Sequence, residues 1–235
     1  MAAVLNEAEN IRPVCAELAE AARALPPCEI IFVDDGSTDG TVEALVAART
    51  DGILPDLRII SHDRRLGKSA AVRTGVEAAR GQWIATLDGD GQDDPMEIVR
   101  MFDLAQKAQG PAPLVVGVRL RRQDTLSRRL ATRFANGLRR RLLRDGCPDT
   151  GAPLKLFRRA DFLRLPQFEG VHRFLPALFG HYGTPLLCQP VRHRNRLHGS
   201  SKYTNFNRAL VGFRDLLGVI WLINRTRLPR RVTER

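Results

Sequence analysis

Trp83-Ile84-Ala85-Thr86-Leu87-Asp88-Gly89-Asp90-Gly91-Gln92-Asp93-Asp94-Pro95 is an apolar run that stops abruptly on carboxylates. Residues 82–87 read as a buried strand, and Pro95 opens a helix whose periodicity runs to about Gln109. If the extended geometry persists past Leu87, Asp88 and Asp90 share a face, because alternate strand residues do. Two neighbouring carboxylates repel unless a cation separates them. A hard divalent ion such as Mg²⁺ or Mn²⁺ suits that position, since it prefers oxygen ligands and keeps substrate phosphates as partners. A solvated acidic turn accounts for the same residues, and this segment alone leaves both open.

A second segment repeats the pattern. Glu29-Ile30-Ile31-Phe32-Val33 is β-rich and ends at Asp34-Asp35-Gly36-Ser37-Thr38-Asp39-Gly40-Thr41, after which a helix is expected through residue 50. Carboxylates there can accept bonds from a base N–H or a ribose hydroxyl. Ligands of open α/β sheets bind outside the carboxyl ends of the strands, so two acidic ends imply one crevice. Around these lie an Ala/Glu-rich helix at 7–24, a strand at 57–60, a helix from Lys68 to Arg80 and a strand at Leu114–Gly117. That alternation predicts an α/β fold with a mainly parallel sheet between helices. An Arg-rich helix is expected at 125–144, its apolar stripe running through Leu126, Leu130, Phe134, Leu138 and Leu142.

Several motifs in fixed order then carry a resemblance. Asn6-Glu7-Ala8-Glu9-Asn10, Val33-Asp34-Asp35-Gly36-Ser37, Leu66-Gly67-Lys68-Ser69 and Leu87-Asp88-Gly89-Asp90-Gly91-Gln92 resemble the family-2 nucleotide-sugar glycosyltransferases of the GT-A fold. Asp149-Thr150-Gly151-Ala152-Pro153-Leu154-Lys155-Leu156-Phe157 and His198-Gly199-Ser200-Ser201-Lys202 are similar to the dolichol-phosphate mannose synthase branch and its bacterial polyprenyl-phosphate relatives.

The resemblance implies an inverting transfer of a hexose, mannose or glucose, from a nucleoside-diphosphate sugar donor to a polyprenyl phosphate acceptor. It places the metal, Mg²⁺ or Mn²⁺, on Asp88, Asp90 and Gln92. The nucleotide-sugar falls on Asn6, Glu7, Asp34, Asp35, Ser37, Gly67, Lys68, Asp88, Gly89 and Asp90. Catalysis is assigned to Asp90, Arg119, Arg128, Arg129, Asp149 and Lys202, with Lys202 on a loop that closes over the diphosphate. A phosphate acceptor is already anionic and needs no strong base, so Asp149 is expected to orient the acceptor-binding arginines. If the acceptor is a saccharide or glycolipid hydroxyl instead, Asp149 is the candidate base.

Charge and composition narrow the partners. With 37 Lys+Arg against 26 Asp+Glu the net charge is +11, which suits an anionic partner. The excess concentrates between Arg119 and Arg144. Nucleic acid is not expected, because aromatics are only 6% of residues and no stacking pattern accompanies the arginines. Gly67-Lys68-Ser69 ends like an ATP-binding P-loop, but His62 stands where its first glycine belongs. Cys15, Cys28, Cys147 and Cys188 have no metal-like spacing and read as reduced thiols of a cytoplasmic protein. The five histidines lack zinc-like clustering and are expected at the surface or hydrogen-bonded in the core.

Met1 leads almost directly into Val4-Leu5-Asn6-Glu7, which leaves no visible signal peptide and a clipped first strand. Residues 1–204 are expected to form the catalytic domain. Residues 205–235 are expected to form an amphipathic, membrane-associating segment. In that segment Arg214 and Asp215 interrupt the apolar run, which is then too short for a span of about 20 residues. Trp221 and the arginines beside it suit an anionic membrane surface, here the inner face of the cell membrane, whereas packing against the catalytic domain is the other explanation.

Overall fold

The computed structural model describes residues 1–119, 137, 139–143, 145–194 and 205–228, the side chains of 205–210 excepted. The chain runs β1 (Ala2–Val4), α1 (Ala8–Arg23), β2 (Ile31–Asp34), α2 (Thr41–Thr50), β3 (Arg58–Ser61), α3 (Lys68–Ala78), β4 (Trp83–Asp88), α4 (Met96–Lys107) and β5 (Leu114–Arg119). It continues through β6 (Lys155–Arg158), α5 (Arg159–Leu163), a 3₁₀ turn (Val171–Arg173), α6 (Leu175–His181), β7 (Leu186–Val191) and α7 (Asn205–Arg225).

The sheet order is β3-β2-β1-β4-β6-β5-β7. β1, β2, β3 and β4 pair in parallel, as do β5 and β7; β6 runs antiparallel to both β4 and β5. The strands' two-residue period sorts the core onto two faces. Phe32, Leu87, Val115, Leu154 and Leu156 pack with Ile11, Val14, Leu18, Ile98 and Met101 under α1, α2 and α4. Ile31, Val33, Ile84, Val116 and Phe157 pack with Val72, Val76, Phe162, Leu175 and Leu178 on the other face. There α7 adds Leu216 and Val219 to the same cluster, so this helix packs against the sheet domain.

Two expectations change here. β4 ends at Asp88, and Asp90 lies in the turn beyond it, so the turn rather than strand alternation relates the two carboxylates. In the Arg-rich segment, Leu126, Leu130, Phe134 and Leu138 lie outside the described residues. Leu142 is 47% exposed, while Arg139 is the buried residue at that end, donating to Asp145 (2.6 Å) and to the Cys147 carbonyl (2.6 Å). This guanidinium is held by paired hydrogen bonds while Leu143, at the same end, packs against the core.

Candidate active site

The carboxyl ends of β2, β1 and β4 lie side by side, and the loops that leave them are clipped together. Asn6, after β1, adopts a positive φ of 54° and carries two links to the loop after β2. Its backbone N–H donates to Ser37 Oγ (2.8 Å), and its Oδ1 accepts from Thr38 N–H (2.7 Å). Glu7 N–H donates to Thr41 Oγ1 (2.9 Å) and the Glu7 carboxylate accepts from Asn10 Nδ2 (2.6 Å). A residue that tolerates positive φ and whose side-chain oxygen accepts from the neighbouring loop explains asparagine at this position.

Asp34 and Asp35 are buried, at 2% and 4% exposure. Asp34 accepts the Ser37 N–H at 3.3 Å. Asp35 gathers the loop before α3: it accepts from Leu66 N–H (2.9 Å) and Gly67 N–H (2.7 Å) and lies 2.9 Å from His62 Nδ1. His62 Nε2 in turn meets Thr74 Oγ1 at 2.9 Å, which fixes the ring. Gly36 makes this packing possible. With φ at 74° it sits so close to the same loop that a Cβ would fall 2.6 Å from the Arg64 carbonyl carbon. Gly67, at φ 93°, then turns the chain into α3.

At the end of β4 the approach is again close. A Cβ on Gly89 would lie 2.2 Å from Val4 Cγ1, so glycine there lets the acidic turn rest on β1. Asp88 is ion-paired with Lys68 from the start of α3. Asp90 is buried at 6% exposure, with one oxygen accepting Gln92 N–H (3.2 Å). Gln92 is tied to the far edge of the sheet. Its side-chain amide donates to the Arg194 carbonyl (3.3 Å), and Arg194 N–H donates to the Gln92 carbonyl (2.9 Å). Arg194 is itself held by Glu17 (2.6 Å) and Asp94 (3.1 Å).

Cations surround this end. Arg119, the last residue of β5, makes a bidentate pair with Asp149, Nε–Oδ2 2.7 Å and Nη2–Oδ1 2.9 Å. Burial works against its charge, but Asp149, and at longer range Asp93 and Asp88, outweigh this and raise its pKa above the ordinary arginine value. Lys155 on β6 is 4% exposed and donates to the Ala152 carbonyl. Burial, with the nearby charge of Lys68, lowers its pKa to about 8 despite Cys147, Asp88 and Asp149. Ser69 Oγ, beside Lys68, accepts Gly170 N–H (3.0 Å) and lies 2.7 Å from His172 Nδ1.

The structure thus brings Asn6, Glu7, Asp34, Asp35, Ser37, Gly67, Lys68, Asp88, Gly89, Asp90 and Gln92 to the loops at one end of the sheet, with Arg119 and Asp149 at the end of β5. Arg128, Arg129 and Lys202 lie outside the described residues. Among the described residues no cluster of three or more His, Cys, Asp or Glu is arranged to hold a metal ion. Sequence reasoning passed over Lys155, His62 and His172 as site residues. The signal for Lys155 was a single charge inside the apolar run Leu154–Phe157. The signal for His62 was its place directly after the strand that ends at Ser61, facing an acidic loop.

Acidic loops thus lie over the carboxyl ends of the parallel strands, with Lys68, Arg119 and the buried Lys155 beside them. The fold matches solved GT-A glycosyltransferases. Glucosyl-3-phosphoglycerate synthase from Mycobacterium tuberculosis, solved with Mn²⁺, uridine diphosphate and phosphoglyceric acid, superposes with a TM-score of 0.70 at 19% identity, over 96% of this chain and 78% of that one. The model of the family described as Glycosyl transferase family 2 matches residues 2–165, and the chain belongs to that family.

Among curated proteins it is 34% identical over 225 residues to the dodecaprenyl-phosphate galacturonate synthase of Rhizobium johnstonii, covering 94% of this chain and 65% of that protein. It is 36% identical over 205 residues to the undecaprenyl-phosphate 4-deoxy-4-formamido-L-arabinose transferase of Pectobacterium carotovorum, covering 86% of this chain and 61% of that one. The chain thus spans 61–65% of the length of these two relatives.

Proposed function

We propose that this chain transfers a sugar from a nucleoside-diphosphate donor to a polyprenyl phosphate, with inversion at the anomeric carbon. The observation that carries the acceptor class is the Arg119–Asp149 pair. Both Asp149 oxygens accept from one guanidinium, so this carboxylate is spent on orienting a phosphate-binding cation and not on deprotonating a hydroxyl. A phosphate acceptor needs that cation and no base. The names of the relatives support the same class, and they extend the sugars beyond mannose and glucose to galacturonate and a formamido-arabinose.

Asp88 and Asp90 would hold Mg²⁺ or Mn²⁺ together with the donor diphosphate, while Gln92 braces the acidic turn. The bound ion would act as a Lewis acid on the leaving diphosphate. The chain's own part is positioning. Asp34, Asp35 and Ser37 shape a rigid pocket for the nucleoside, and Lys68 at the start of α3 supplies a cation that can compensate phosphate charge once Asp88 is otherwise engaged. Lys155 beneath the site adds a fixed positive field.

Residues 205–235 serve as the membrane-associating part in this proposal, at the inner face of the cell membrane. No described helix is long and apolar enough to cross a bilayer. On α7, however, Phe213, Leu217 and Trp221 recur every fourth residue and are 54%, 51% and 63% exposed. That stripe, flanked by Arg214 and Arg225, suits an interfacial helix on anionic lipid.

The test is transfer of radiolabel from a panel of nucleotide sugars, GDP-mannose, UDP-glucose and UDP-galacturonate among them, into undecaprenyl or dolichyl phosphate. Label entering the lipid phase from one donor, and lost in Asp90→Ala, is the expected result. Label entering a saccharide or glycolipid hydroxyl instead would sink the phosphate acceptor.

A further inference from the structure

At the end of the sheet opposite the acidic loops lies a cavity of about 640 Å³. It opens beside the residues that precede β4, β5 and β7 and beside Arg158, the last residue of the antiparallel β6. The length of β4 separates it from Asp88 by roughly 20 Å, so it is no part of the site described above.

Its walls carry four arginines, Arg80, Arg158, Arg159 and Arg164, against a single carboxylate, Asp161. Two of the guanidiniums are fixed by neutral partners. Arg159 donates from Nε to the Val76 carbonyl (2.9 Å) and from Nη2 to the Glu77 carbonyl (2.9 Å), in the last turn of α3. Arg158 donates to Gln82 Oε1 (2.6 Å) and lies 4.7 Å over the centre of the Trp83 ring. Carbonyls and an indole face orient these groups without supplying a formal counter-charge.

The neighbouring carboxylates are committed elsewhere. Glu77 pairs with Arg73 (2.8 Å), and Glu29 pairs with Arg58 while accepting the backbone N–H groups of Arg80 and Gly81. Asp161 lies 4.0 Å from Arg164. Among the described residues no carboxylate is ion-paired with Arg80, Arg158 or Arg159. Tyr182 and Thr184 add hydroxyls to the same wall. Guanidiniums gathered around one concavity repel one another, and each presents a fork that matches phosphate oxygens. An anion seated among them relieves the repulsion and takes up N–H groups that the carbonyls leave over.

We propose that this cavity is an anion site, separate from the acidic loops, that binds a phosphate group, free or on a lipid headgroup. The chemistry common to both sources is a tetrahedral oxyanion met by guanidinium forks and flanking hydroxyls. The end of α7 bears on the lipid source. His181 Nε2, one residue before Tyr182, lies 3.3 Å from the carbonyl of Thr226, just past the helix that carries the exposed Phe213, Leu217 and Trp221.

Trp83 reports on the cavity through Arg158, and Trp221→Phe leaves it the single tryptophan of the chain. Arg80→Gln/Arg164→Gln removes charge from the cavity and leaves the two anchored arginines in place. Arg12→Gln/Arg49→Gln, on α1 and α2, removes equal charge from the other face of the sheet. Inorganic phosphate should change Trp83 emission, with affinity about tenfold weaker in the Arg80/Arg164 variant and unchanged in the Arg12/Arg49 variant; the ligand is then free phosphate. With Trp221 in place, co-sedimentation with vesicles of phosphatidylglycerol in phosphatidylcholine reads the other source. A loss of about tenfold in the Arg80/Arg164 variant alone, with no Trp83 response to inorganic phosphate, assigns the cavity to a lipid headgroup. Phosphate and vesicle binding that fail to distinguish the cavity variant from the charge-matched one would overturn the site.

Discussion

The acidic ends of β2 and β4 look alike in sequence and do different work in the structure. At β2 the carboxylates are spent on the chain itself: Asp35 takes two backbone N–H groups and His62, and Asp34 takes Ser37. At β4 they face cations, with Lys68 on Asp88 and the Arg119–Asp149 pair and Lys155 nearby. Carboxylates bound to backbone N–H groups build a pocket of fixed shape. In the function proposed above, carboxylates among cations form a site whose ion pairs exchange when a phosphorylated ligand binds. The proposed function thus divides shape recognition and charge compensation between two strand ends on either side of β1.

The division can be broken by substitution. The largest effect is expected for Asp90→Ala, which should lower turnover on the order of 10²–10³-fold with little change in melting temperature, measured by radiolabel transfer and calorimetry. The opposite profile is expected for Asp35→Ala. Loss of its three partners should cost about 2–3 kcal/mol of stability by denaturant unfolding, whereas Asp88→Ala should cost under about 1 kcal/mol because its ion pair is partly solvated. If Asp88→Ala unfolds as easily as Asp35→Ala, the two ends are not different in kind.

Lys155 sharpens the contrast through pH. Its pKa is about 8 in the folded chain against 10.5 for an ordinary lysine, so between these values the unfolded chain binds more protons and stability rises with pH. The penalty, up to about 3 kcal/mol, is fully present below pH 8 and gone above about 10.5. Lys155→Met removes it and also leaves the Ala152 carbonyl without its donor. The variant should therefore gain about 1–2 kcal/mol at pH 7 and lose that advantage by pH 10.5. A stability difference between variant and parent that stays flat over this window would contradict a charged, buried Lys155. The smallest effect is expected for Asp149→Asn. It should weaken acceptor binding about tenfold, read as a rise in KM for the lipid phosphate, with donor KM unchanged.

Much of this was legible in the sequence, for identifiable reasons. Each strand from β2 to β5 is a short apolar run punctuated by Asp, Gly or Pro, and each intervening helix carries a usable period, so boundaries shifted by only a few residues. Asp149 was expected to orient acceptor-binding arginines without a named partner, and the structure pairs it with Arg119. What was not legible is what depends on distant pairing. β6 enters between β4 and β5 in antiparallel sense, and nothing local to Lys155–Arg158 announces that neighbour. Lys155 therefore seemed part of a motif and not the floor of the site. The strand-alternation rule failed at Asp90 because Gly89 turns the chain one residue after β4 ends.

The claim that the β4 end is the charge-compensating, metal-and-diphosphate site, distinct from the β2 end, is tested most directly by calorimetric titration of UDP and GDP with and without Mn²⁺. The account predicts tight binding that requires the ion in the parent chain. It also predicts weak, ion-independent binding in Asp90→Ala. Binding of equal strength with and without Mn²⁺, unchanged in Asp90→Ala, would contradict it.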